Sequence, residues 1–101
     1  MKLVIVTAVN QYKKDVLMLF KNAEIRNLSE SNIEGHKFYK VKNMTENWFS
    51  SERSSVKSNL FFSFTDEDKI DKLFELIKVY NGNLESKNPL KAIVLPIKKS
   101  I

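Results

Sequence analysis

The stretch from Asn59 to Ile101 constrains this chain most, because it carries a complete run of strand, helix and strand. Asn59 to Phe64 (NLFFSF) reads as a strand with aromatic residues on both faces. Thr65-Asp66-Glu67-Asp68 follows. It is a capping-box-like start with acidic residues in the first turn, where they meet the positive end of the helix dipole. Ile70, Leu73, Phe74 and Ile77 then share one helical face, which Tyr80 extends. Asn81-Gly82 predicts a helix stop through a left-handed cap. A short loop through Lys87, Asn88 and Pro89 leads into a last strand, Lys91 to Leu95. Pro96 cannot donate to a ladder and should end central pairing.

The first third repeats that order. Lys2 to Val9 (KLVIVTAV) is almost continuously apolar and β-branched, the pattern of a central strand. Asn10 is placed to cap a helix. Val16, Leu17, Leu19, Phe20 and Ala23 then recur at helical spacing, which predicts an amphipathic helix over roughly residues 11 to 23. Ile25 to His36 is a weaker, more polar strand, and Gly35 near its end suggests a turn, a bulge or a close backbone approach. Two strand–helix–strand halves in 101 residues give the order of a ferredoxin-like βαββαβ sandwich. The expectation is one α+β domain spanning 1–101, with a four-stranded antiparallel sheet and two helices on one face.

Between the halves, Lys37 to Lys57 has no clear period. It mixes Phe38, Tyr39, Trp48 and Phe49 with a serine-rich stretch, and reads as a long loop with strand-like stems. The net charge of +5 is concentrated here, where five basic residues face two acidic ones. Such a segment suits an anionic ligand or an acidic partner surface, or is simply solvated.

The strands are greasy on both sides. Leu3, Ile5 and Thr7 alternate with Val4, Val6 and Ala8; Leu60, Phe62 and Phe64 with Phe61 and Ser63; Ile93 and Leu95 with Ala92 and Val94. Two helices cover one face only. The expectation is that Val4, Val6, Phe61 and Val94 lie on the uncovered one. Each such side chain left wet forfeits ~1.5–3 kcal/mol relative to burial. A closed homo-oligomer with sheets packed inward, most simply a homotrimer, relieves this. The alternative is that the long loop folds back over the face.

Composition excludes several functions. There is no cysteine, hence no disulfide, thiolate metal site or thiol nucleophile. Leu3 to Val9 is too short for a signal peptide, and no segment has membrane-spanning length. A cytoplasmic location is the default expectation. No nucleophile–base pattern, glycine-rich phosphate loop or metal motif is present, so an enzyme is not expected. Asp66, Glu67, Asp68 and Asp71 read as helix-start electrostatics and not as an acid–base pair.

Three pieces of the chain resemble the PII-like (nitrogen regulatory protein PII) signalling superfamily. The opening KLVIVTAV with its helix is similar to the family's first strand and helix. Ile33-Glu34-Gly35-His36 is similar to the strand end from which the family's T-loop departs. Phe62 to Leu73, Asn81-Gly82 and Lys91-Ala92-Ile93-Val94-Leu95-Pro96-Ile97 are similar to its second strand–helix–strand half, which closes on a VLPV-like strand. The chain would be a divergent member with a shortened T-loop at 38–57. Its B-loop, Glu85-Ser86-Lys87-Asn88-Pro89-Leu90-Lys91, has no glycine but keeps Lys91 in the matching position.

The resemblance implies a homotrimer that binds a small effector in clefts between subunits. The loop would control a target protein, such as a membrane transporter or efflux system. It assigns effector contacts to Gly35, His36, Lys37, Lys87, Asn88 and Lys91. In the partner loop, with Phe38 and Tyr39, the aromatic pair Trp48 and Phe49 either anchors a partner or packs the loop onto its own trimer. The effector is a nucleotide or a divalent metal ion if the family pattern holds. A metal-responsive CutA-like trimer is an alternative, with His36 and Glu34 as candidate ligands. An RNA-binding ferredoxin-like module is another, suggested by the sheet aromatics. It is disfavoured because Leu60-Phe61-Phe62 lacks the basic and glycine signature that accompanies stacking aromatics.

Overall fold

The structure, a computed structural model, describes residues 1–36, 55–85 and 87–101. Its elements run β1 (Lys2–Val9), a short 3-10 turn (Asn10–Tyr12), α1 (Lys13–Asn22), β2 (Ser29–His36), β3 (Ser55–Thr65), α2 (Glu67–Gly82) and β4 (Lys91–Pro96). The four strands form one antiparallel sheet in the order β2-β3-β1-β4. This α+β arrangement is the one expected of a ferredoxin-like sandwich. Among the described residues, no helix is long and apolar enough to cross a membrane.

The core lies between one sheet face and the two helices. Val4, Val6, Ala8 and Phe61 from the strands meet Val16, Phe20 and Ala23 of the first helical segment and Ile70, Leu73 and Ile77 of α2. The apolar spacing read from both helices therefore does bury a stripe, although Leu17 and Met18 stay outside it. Phe20 packs on Phe61 with ring centroids 6.3 Å apart. Two polar residues share this face. The Ser63 hydroxyl donates to the Asn27 carbonyl, and Asn59 Nδ2 donates to Asn32 Oδ1 at 3.0 Å.

The helices cover the face opposite to the one expected. Val4, Val6 and Phe61 are fully buried beneath them. The open face carries Leu3, Ile5, Leu60, Phe62, Phe64, Ile93 and Leu95, following the register Leu3↔Phe64, Ile5↔Phe62, Leu3↔Leu95 and Ile5↔Ile93. Which side the helices take depends on the hand of each crossover and on where the chain leaves each strand. Alternation of apolar residues encodes neither. The premise of one helix-free apolar face survives with its residues exchanged: Phe64 is 52% exposed, Ile93 53% and Leu95 44%. Val94 pairs with Val4 on the helix side and is exposed only at its margin.

Three local expectations are corrected. Asn10 does not cap α1; it opens the 3-10 turn, and no side-chain cap bond forms at either start. Asp66 takes the N-cap position of α2 with extended backbone, but also without a side-chain cap bond. Glu67, in the first turn, instead accepts from Lys2 Nζ at 2.8 Å. Gly82 is helical and no glycine has positive φ, so α2 ends without a left-handed cap. Among the described residues, the left-handed one is Glu24, at φ 63°. There Ile25 N–H bonds to Phe20 C=O and Glu24 N–H to Lys21 C=O, each at 3.0 Å. This is a Schellman closure of α1 with glutamate where glycine is usual.

Candidate functional site

At one end of the sheet, the C-termini of β1 and β2 meet the N-termini of β3 and β4. The pairs Thr7↔Lys91, Val9↔Ser58, Ile33↔Ser58 and Gly35↔Val56 form that end. By strand alternation these side chains belong to the open face. A cavity of about 350 Å³ opens among them. Val9, Ile33, Val56 and Pro89 give it apolar walls, and Thr7, Ser58, His36, Asn88 and Lys91 give it polar groups.

Gly35, His36, Asn88 and Lys91, four residues proposed from sequence as effector contacts, line this one cavity. They come from β2, from the connection before β4 and from β4 itself. Lys87 is exposed in the same connection and does not line it. Lys37, Phe38, Tyr39, Trp48 and Phe49 lie outside the described residues. Gly35 pairs in register with Val56, and a Cβ built on it would come no nearer than 3.9 Å to the Val56 carbonyl oxygen. It marks neither a bulge nor a left-handed turn.

The chemistry of the cavity is that of a binding site. A single ammonium, two hydroxyls and an amide stand among apolar walls, which suits a small polar or anionic molecule with an apolar part. His36 Nε2 stands 3.6 Å from Glu34 Oε2, both side chains half exposed. These are the two proposed metal ligands. Among the described residues, no third histidine, cysteine, aspartate or glutamate joins them to make a metal-holding group.

Sequence reasoning missed Thr7, Val9, Ile33, Val56 and Ser58, because they come together only through strand register. It also missed Asn81, read as part of a helix stop. Its side chain instead brackets the backbone of Leu90: Nδ2 donates to the Leu90 carbonyl at 2.9 Å, and Oδ1 accepts from the Leu90 N–H at 2.8 Å. Leu90 is buried and precedes Lys91. An asparagine near a helix end, nine residues before a buried leucine, was the only signal available.

No protein-family model matches the chain, and no curated protein matches it.

Proposed function

We propose that this chain is a regulatory protein of the PII-like kind, a homotrimer that binds a small effector and passes its state to a target protein such as a membrane transporter. The observation that carries this reading is the convergence of Gly35, His36, Asn88 and Lys91 on a single cavity. The cavity lies at one end of the open apolar face, while Phe64 and Leu95 lie opposite Leu3 toward its other end, with Ile93 between them and Lys91, so a copy that covered the whole length of the face would also border the cavity. His36, the last described residue before position 37, lines the cavity. An effector touching His36 thereby acts at the base of the loop expected to meet the target. Ligand control of such a loop requires only that the ligand bind its alternative arrangements with different affinity.

The test is a thermal-shift panel of nucleotides, cyclic dinucleotides, bicarbonate and divalent metals, run with light scattering on the free protein. A ligand at 100 times its Kd should stabilise the fold by about 2.7 kcal/mol. K91A should abolish the shift for an anionic ligand. A monodisperse monomer at micromolar concentration would remove the trimer. A panel with no stabilising ligand would leave an interaction module without an effector.

One observation favours the RNA reading. Phe62 and Phe64 both stand on the open face, edge to face at 6.2 Å. Bases stack on aromatics so placed. Among the described strand residues of that face, however, Lys91 is the one cation, which is little for phosphate attraction. A gel shift with single-stranded RNA that weakens steeply with salt would favour RNA over the regulatory reading.

A further inference from the structure

We infer that Asn81 is a positioning residue for the cavity, a latch that fixes the rim carrying Asn88, Pro89 and Lys91. The inference concerns the cavity on which the effector reading rests, but its test needs no effector. The connection between α2 and β4 has to deliver Lys91 opposite Thr7, where the cavity begins. Two fixings hold Leu90, the residue before that strand. Leu90 is 3% exposed and packs into the core. The Asn81 amide engages both backbone groups of the same residue, at 2.8 and 2.9 Å. A primary amide has one donor end and one acceptor end at the spacing of a residue's own N–H and C=O. Asn81 thus acts as a one-residue surrogate strand.

Asn81 is itself held in the last turn of α2, where its carbonyl accepts from Leu84 N–H at 3.2 Å. The helix end and the cavity rim are therefore joined by a side chain, and not only by the chain between them. Asn88 and Pro89, which line the wall, immediately precede the bracketed residue. Aspartate offers an acceptor to the Leu90 N–H but no donor to its carbonyl. Alanine offers neither.

The experiment is residue-resolved amide hydrogen exchange and backbone NMR on the intact protein, comparing N81A and N81D with the parent. In N81A the Leu90 amide should exchange at least about tenfold faster. The amide signals of Lys91 and Thr7 should move, while exchange at Val4, Val6 and Phe61 stays as it was. N81D should fall between parent and N81A. Unchanged exchange at Leu90 together with unmoved Lys91 and Thr7 signals would overturn the inference. So would equal acceleration at Leu90 and at the β1–β3 core, which would make Asn81 a contributor to global stability only. If N81A does not fold, N81D carries the same criteria. Neither result bears on whether an effector exists, so a failed latch and a failed effector reading remain separate.

Discussion

Glu24 and Tyr80 show how single residues set local terms in the stability of this fold. Glu24 sits at φ 63°, a conformation that costs an L-residue with a side chain roughly 1–2 kcal/mol. Glycine removes that cost and returns part of the gain through a freer unfolded chain. The 3.8 Å ion pair from Lys72 to Glu24 that is lost is exposed and weak. E24G should therefore raise stability by about 0.5–1 kcal/mol, read as a higher urea midpoint; a lower midpoint would mean that the Lys72 contact outweighs the backbone. Tyr80 donates its hydroxyl to Asp15 Oδ2 and stands edge-on to Tyr12 at 6.1 Å. Burial, and then the Asp15 hydrogen bond, push its ionisation up from 10.0 to about 12. A pKa raised by folding contributes stability that is complete below the unfolded value and is lost as pH climbs through the folded one. The parent should thus lose stability between pH 10 and about 12 more steeply than Y80F. Denaturant midpoints against pH, with the ultraviolet titration of tyrosine, check this; parallel curves would reject it. At the acid end, Glu67 lies below the ordinary carboxylate range because Lys2 hydrogen-bonds to it and then because of that residue's charge. Its contribution is present above the unfolded value and fades as pH falls through the lowered one.

At the scale of elements, Gly82 belongs to the helix. It has helical backbone, and nothing lies within 4 Å of a Cβ built there. G82A should stabilise α2 by roughly 0.5–1 kcal/mol, the ordinary difference between alanine and glycine in a helix. A true left-handed cap would give the opposite sign, so the thermal midpoint of this variant separates the two. The same comparison shows what was legible in the chain. The order of elements and the buried stripe Ile70–Leu73–Ile77 could be read because period is a local property. The ends were harder. Asn10 and Asp66 look like caps but form no side-chain cap bond, and the helix does stop at Asn81-Gly82 but without the left-handed cap read there. β3 begins at Ser55, inside a serine-rich stretch that gives no strand signal of its own; it is recruited by pairing with β2, His36↔Ser55. The choice of covered face and the residues lining the cavity both depend on register and crossover, which join positions tens of residues apart. Only Gly35 and His36 at the end of β2, and Asn88 and Lys91 at the start of the last strand, could be named beforehand.

For the whole molecule, the decisive property is the helix-free face with Phe64, Ile93 and Leu95 about half exposed. If copies pack on it, F64K and L95K should each convert the assembly to monomers at micromolar concentration, since each change exchanges ~1.5–3 kcal/mol of burial for a buried charge. V79K is the control: Val79, on α2, is 64% exposed and lies away from that face. Sedimentation of the three variants gives the answer, and an unchanged mass for F64K and L95K would place any contact elsewhere. The two borders of the sheet also differ. β2 ends the sheet on one side with Ser29, Glu30, Ser31 and Glu34, polar side chains that discourage stray pairing. β4 ends it on the other, uncharged from Ala92 to Pro96, and no described strand pairs with its outer side. A newly made copy thus offers a ribbon of unsatisfied amides and carbonyls trimmed with isoleucine, valine and leucine. Such a border attracts further chains without discrimination. Lysine at Val94, which lies on this border on the helix side and is 38% exposed, is the change most suited to keeping solitary copies from clotting.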